Sequence, residues 1–443
     1  MRVLWLCNIM LPVVAEHLHR EASSKEGWLT GLSSRILQEQ SENKLVLGVC
    51  FPVQAGLSDF RQCLKMENGA SLYAYGFYER TDQAEQYDAS MEERFRTVLK
   101  DFKPDAVHCF GTEYPHTLAM IRAFSRPERT LIGIQGLCAV YAGAYRADLP
   151  GRVWRRSTFR DLLRHDSLRQ QQKKYEVRGI FEKEAVKLTG HVTGRTAWDR
   201  KYMQEWNPEA EYHFMNETLR PEFYEGKWKL ETCRRHSIFL SQGDYPIKGL
   251  HYILRAMPEI LKTYPDTEVY VAGNSIIKTA SQNGLSGIKG RWKLDSYGKY
   301  IYDLLRHYKL TKKVHFLGKC DKTRMKELYL EANVFLCPSS IENSPNSVGE
   351  AMLLGVPVVC ADVGGISSIF QSGQDGILYP SGDVKELTRA VKEMFTGGEA
   401  VCRMTAAERV HARITHDPDT NYLRLLDIYQ TIISKTSTPG STV

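Results

Sequence analysis

Val334-Phe335-Leu336-Cys337, then Pro338-Ser339-Ser340-Ile341-Glu342-Asn343-Ser344-Pro345-Asn346-Ser347-Val348-Gly349-Glu350, then Val356-Pro357-Val358-Val359-Cys360 succeed one another as strand, polar loop, short helix and strand. Each short apolar run bounded by turn residues predicts a buried strand. Between them Ser344 is a suitable N-cap. Pro345 fits the first helical position because its missing N–H would have had no intrahelical partner, and Gly355 ends the helix. Repeated strand–helix–strand units build a parallel sheet covered on both faces.

The backbone N–H groups of Asn346 and Ser347 then stand at the positive end of a helix. They lie beyond the carboxyl end of a parallel strand, where open α/β sheets bind ligands, and such a place attracts an anion. Glu342 in the loop and Glu350 in the helix can face the same crevice. Two carboxylates would repel a phosphate, so they suit neutral polyols better, a ribose on one side and a hexose on the other.

The run Glu342-x7-Glu350 with Pro-Asn inside it, followed by Ala351-Met352 and Gly355-Val356-Pro357-Val358-Val359, resembles the donor signature of retaining glycosyltransferases of family 4. The resemblance implies the GT-B fold: two doubly wound, Rossmann-like α/β domains facing across a cleft. It implies transfer of a hexose-type sugar from a nucleotide-sugar, a UDP- or GDP-sugar, to a glycan or lipid-linked acceptor. Anomeric configuration would be retained, with no metal and no other cofactor. Bacterial surface polysaccharide synthesis, of capsule or exopolysaccharide, is the family's common setting. Donor contacts are expected from Asn343, Ser344, Asn346, Ser347 and Glu350, with Glu342 catalytic at the transferred sugar.

Other strings extend the likeness unevenly. After an apolar run at 238–241, Gln242-Gly243-Asp244-Tyr245-Pro246-Ile247-Lys248-Gly249 is similar to the family's Gly-Arg, spacer, Lys-Gly. Lys248 matches and is expected to stabilise the leaving phosphate, although it also reads as an ordinary loop lysine. Gly243, expected near the donor, stands where the family has arginine, and Arg195 in Thr193-Gly194-Arg195-Thr196 is a candidate replacement for phosphate or acceptor. A salt-bridged structural arginine is the other reading. Gly27 opens a helix in the manner of the family's glycine loop and is assigned to the donor, or is a simple helix-start glycine. Asp105-Ala106-Val107-His108-Cys109-Phe110-Gly111 is similar to Asp-x-Val-His-x-His-Gly, which makes His108 a catalytic candidate with a core histidine as its rival. Ser368 replaces the glutamate that would follow Gly364-Gly365, leaving that pair a turn role. Asp417-Pro418-Asp419 is explained by helix capping.

A chain of 443 residues exceeds one core, so two domains are expected: 1–220, joined by a helix at about 407–435 packing back, and 236–400. Strands are expected at 3–7, 45–49, 106–110, 131–134, 191–193, 238–241, 268–272, 314–317, 334–337 and 356–361, a linker at 212–231, an inserted loop at 275–295 and a frayed tail at 436–443. The net charge of +7 comes with no nucleic-acid-binding string, and no partner of that class is expected. Nine Lys and Arg residues in 152–178 read as a solvated helix face or as a contact with anionic membrane. The ten cysteines lack CxxC spacing and read as reduced thiols, which places the protein in the cytoplasm, at the membrane's inner face if the basic stretch docks there. Two other functions fit the same fold: a nucleotide-sugar epimerase or hydrolase, and a sugar-nucleotide-binding protein with impaired catalysis.

Overall fold

The computed structural model describes residues 1–20, 27–40, 45–57, 59–274, 276–277 and 290–435. The expected tail at 436–443 and much of the expected insertion at 275–295 lie outside the described residues. The chain divides into two compact units, one of Met1–Val140, Lys174–Arg220 and His416–Val443, the other of Tyr141–Lys173 and Pro221–Thr415. This differs from the expected partition in two segments, since residues 141–173 and residues 407–415 cluster with the second unit and not the first.

Among the described residues the first unit holds eight strands: β1 (Arg2–Leu6), β2 (Val46–Val53), β3 (Arg61–Lys65), β4 (Ser71–Tyr78), β5 (Ala106–Phe110), β6 (Thr130–Gly133), β7 (His191–Gly194) and β8 (Glu211–Phe214). They run in the order β3-β4-β2-β1-β5-β6-β7-β8, and every pair is parallel except β3 with β4. Alternation along β1 shows why the sheet is covered twice. Val3 and Trp5 join one core with Leu29, Ile36, Leu425 and Tyr429, while Leu4 and Leu6 join another with Phe95, Phe102, Leu118 and Val186. The final helix, Pro418–Lys435, thus belongs to the first unit's core. β8 occupies the start of the expected linker; it is a short edge strand exposed at both ends with only His213 buried, and its lack of an apolar run hides it in the sequence.

The second unit is a six-stranded sheet of β9 (Arg234–Leu240), β10 (Glu268–Ala272), β11 (Val314–Gly318), β12 (Ala332–Cys337), β13 (Val358–Asp362) and β14 (Ile377–Pro380). Its order is β11-β10-β9-β12-β13-β14, so the direction of winding reverses between β9 and β12. Loops leaving the carboxyl ends of those two strands therefore meet at the switch point, the ligand-binding position of doubly wound sheets. Residues 141–173 are tied onto this unit. His251 Nε2 lies 2.8 Å from the Ala147 carbonyl, Tyr252 donates to Asp148 at 2.8 Å, and the Ser296 backbone N–H donates to Asp161 at 3.1 Å. The basic stretch is therefore anchored by its acidic and carbonyl groups and is more than a solvated helix face.

Candidate functional site

The loop after β9 ends in a short 3-10 turn, Pro246–Lys248, closed by Gly249 at φ 71°. Only glycine fits there, because a Cβ would collide with the carbonyl oxygen of Pro338 in the loop after β12. The Ser340 N–H donates to the Ile247 carbonyl at 2.8 Å and fastens the same two loops. This close approach sets Lys248 Nζ 2.5 Å from Glu342 Oε1, with side-chain exposures of 20 % and 9 %. Ser339 Oγ donates to the same carboxylate oxygen at 2.7 Å. Burial works against the Lys248 ammonium, yet the adjoining Glu342 carboxylate overrides it and holds the lysine pKa well above its ordinary value. Lys248 is a fixed cation at the switch point.

The helix that follows spans Asn346–Leu354, with Pro345 as its N-cap and no side-chain cap. It starts one residue later than expected, so Pro345 and not Ser344 takes the cap position. The consequence for the amides is unchanged: those of Asn346 and Ser347 open the first turn, where intrahelical acceptors are missing. Gly355 closes the helix in the left-handed region at φ 73°, as expected. Asn343 and Ser344 are buried beside this terminus, and Glu350 is buried with the Tyr329 hydroxyl 3.4 Å away. Tyr329 donates to the Ser347 carbonyl at 3.0 Å, which pins the first turn. Glu342 and Glu350 are 7 % and 5 % exposed, so neither is a surface carboxylate.

Three contributors escaped the sequence reading. Ser339 and Tyr329 carry no distinctive spacing. Gly364-Gly365 is more than a turn: the Gly365 N–H donates to the Glu342 carbonyl at 3.0 Å, and Gly364, at φ 58°, leaves no room for a Cβ against that carbonyl. The paired glycines were the signal.

Gly243 lies in the same loop as Lys248, but a Cβ there would stand 2.9 Å from Val271 Cγ1 and 3.2 Å from Leu250 Cδ2. Apolar side chains fill the place from which an arginine would start. Arg195 belongs to the first unit, where it is 6 % exposed and paired with Glu217 at 2.7 Å. That ion pair is the contact expected of a salt-bridged structural arginine. His108 belongs to the first unit as well. It has no exposed surface, packs on Phe110 at 3.8 Å between ring centroids and sets Nδ1 2.7 Å from the Tyr429 hydroxyl. Burial lowers its pKa to about 3, which keeps the ring neutral and is in keeping with the core-histidine reading. Gly27 starts the helix Gly27–Gln38 against the Arg220 side chain in the first unit; Glu26 before it lies outside the described residues. Asp417 accepts from the Thr420 N–H at 2.7 Å, the capping role expected of it.

A fixed cation, first-turn amides and two buried carboxylates can hold a diphosphate between hydroxyl-bearing rings. Residues 226–410 match the family described as glycosyl transferases group 1. The glycogen synthase of Mycobacterium tuberculosis is 27 % identical over 182 residues, 41 % of this chain and 38 % of the relative. The chain thus matches well under half of that relative's length. Sucrose-phosphate synthase from Thermosynechococcus elongatus superposes over 98 % of this chain and 100 % of its own with a TM-score of 0.68 at 13 % identity. Anabaena Alr3699/HepE in complex with UDP-glucose covers 97 % of this chain and 100 % of its own, with a TM-score of 0.62 at 13 % identity. At such identities the likeness shows the fold, which is GT-B.

Proposed function

We propose, from the match of residues 226–410 to the glycosyl transferases group 1 family, that this protein is a retaining glycosyltransferase that moves a hexose-type sugar from a UDP- or GDP-sugar to a glycan or lipid-linked acceptor. The observation that carries the reading is the Lys248–Glu342 pair at 2.5 Å, held at the switch point beside the first turn of Asn346–Leu354. The donor diphosphate lies on the amides of Asn346 and Ser347 and draws Lys248 toward it. Glu350 binds the ribose and Glu342 the transferred sugar. The acceptor hydroxyl attacks on the face that the nucleotide leaves, and the departing phosphate oxygen takes its proton. Donors already in place stabilise the developing phosphate charge, a role that needs no metal ion.

Among the described residues no helix is long and apolar enough to cross a membrane. Peripheral contact is proposed through the helix Phe159–Arg164, where Phe159, Leu162 and Leu163 are 59 %, 63 % and 67 % exposed among basic residues. Arg152, Arg156 and Arg255 line a cleft of about 410 Å³ in the same unit. This pattern of apolar tips flanked by cations suits an anionic, lipid-bearing surface at the cytoplasmic face of a membrane, a setting that fits surface-polysaccharide synthesis.

The test is a radiolabelled-donor assay against UDP- and GDP-sugars with glycan and lipid-linked acceptors, with and without chelator, reading the anomeric centre of the product by NMR. Chelator-insensitive transfer with retention supports the reading. Inversion, or loss of transfer on chelation, removes it. A sugar-nucleotide-binding protein with impaired catalysis is the second reading, favoured by the filled site at Gly243; donor affinity without turnover selects it. Acceptor-independent epimerisation or hydrolysis selects the third.

A further inference from the structure

At the edge of the first unit's sheet, three metal-ligating side chains converge that no part of the donor chemistry uses. β7 and β8 pair in parallel with His191 opposite Glu211 and Thr193 opposite His213. Successive strand residues alternate faces, so His191, Glu211 and His213 share one face while Tyr212 points to the other. Tyr212 donates to Asp199 at 2.6 Å on its own side, which fixes the register of the pair.

His191 Nδ1 lies 3.0 Å from His213 Nε2 and 3.6 Å from Glu211 Oε2. One ligand atom from each of the three residues falls within 4.8 Å of the others. A tetrahedral Zn²⁺ with ligands at about 2.0–2.1 Å has neighbouring donors about 3.3 Å apart, and the two shorter separations bracket that spacing. The remaining adjustment falls on Glu211, whose side chain is 42 % exposed, whereas the two rings are buried. β8 is the outer strand of the sheet, so the carboxylate side opens to water.

We propose that His191, Glu211 and His213 form a binding site for a divalent transition-metal ion of the zinc class, with water completing the coordination. Two imidazoles and one carboxylate favour Zn²⁺, Ni²⁺ or Cu²⁺ over Mg²⁺ or Ca²⁺, which prefer oxygen-only shells. The ion cross-links β7 to β8 and fastens the short edge strand. It takes no part in sugar transfer, whose residues belong to the other unit.

The test uses the full-length chain stripped with chelator and titrated with CoCl2, with and without ZnCl2 as competitor. The expected result is one equivalent of Co²⁺ with a visible d–d spectrum, displaced by Zn²⁺, and a melting temperature that rises with either metal because only the folded state binds. Glu211→Gln, at an exposed position that keeps the fold, should weaken binding by about 10-fold or more, and His213→Ala should weaken it further. MgCl2 should neither compete nor raise the melting temperature. Sub-stoichiometric Co²⁺, or the same affinity in wild type and Glu211→Gln, overturns the site. So does an NMR imidazole spectrum in which the His191–His213 pair is unmoved by ZnCl2, since the two rings would then simply be bonded to one another.

Discussion

Replacing Lys248 with Met removes a buried cation and keeps most of its volume. Its partner Glu342 is left at 7 % exposure with the Ser339 hydroxyl still donating to it. Breaking a buried pair from one side costs about 3–5 kcal/mol; the 20 % exposure of the lysine puts this case at the low end, about 3 kcal/mol. Glu342→Gln should cost less, about 1–2 kcal/mol, because the lysine can swing its ammonium toward water. The double variant leaves no uncompensated charge, so it should recover about 2 kcal/mol of the summed single losses. The pH must be chosen with the sign in mind. A lysine pKa raised above the ordinary 10.5 contributes its full stability below 10.5 and loses it as pH climbs through the raised value. Urea unfolding at pH 7.5, followed by circular dichroism, therefore reads the whole effect. In the transfer assay Lys248→Met should lower kcat by about 10²–10³. A variant that unfolds at the wild-type urea midpoint, with a coupling under about 0.5 kcal/mol, would refute the reasoning.

Acid stability reports on His108. Its folded pKa is about 3 against 6.5 in the unfolded chain, so its contribution is full above 6.5 and is lost as pH falls toward 3. His108→Gln should flatten the acid limb of the stability curve by about 1.4 kcal/mol per pH unit, measured by urea titration between pH 6 and 4. Restoring the family's arginine with Gly243→Arg should destabilise by about 1–3 kcal/mol through overpacking against Val271 and Leu250, and should not raise turnover. An active, equally stable Gly243→Arg would show that the site holds room. Phe159→Ser, Leu162→Ser and Leu163→Ser together should reduce sedimentation with anionic vesicles while leaving transfer to a water-soluble acceptor unchanged. Equal sedimentation of variant and wild type would remove the membrane contact.

Where a local pattern dictates a local structure, the chain was readable in advance. Ala106–Phe110 and Glu268–Ala272 are strands over the expected residues because apolar, β-branched runs bounded by turns leave little choice. The strands β3 and β4 were not foreseen: Arg61–Lys65 is exposed at four of its five positions, and only pairing with its neighbour makes it a strand. Nor could the assignment of residues 141–173 to the second unit be read locally, since it rests on long-range bonds such as His251 to Ala147. In the candidate site, the strand, loop and helix that carry Glu342, Asn346 and Glu350 were legible because apolar runs and the embedded Pro and Gly residues constrain the backbone. His108 and Arg195 each left two readings open in the sequence because the same residue types serve burial and ligand binding equally well. Their neighbours Tyr429 and Glu217, distant in sequence, decided between the two.

The central claim is that the second unit's switch point grips a diphosphate through Lys248 and the amides of Asn346 and Ser347. A crystal structure of the protein with an intact UDP- or GDP-sugar tests it most directly. The account predicts phosphate oxygens within hydrogen-bond distance of Lys248 Nζ and both amides, the ribose on Glu350 and the sugar on Glu342. A nucleotide lodged elsewhere, or a diphosphate held with Lys248 still locked on Glu342 and the amides facing solvent, would contradict it.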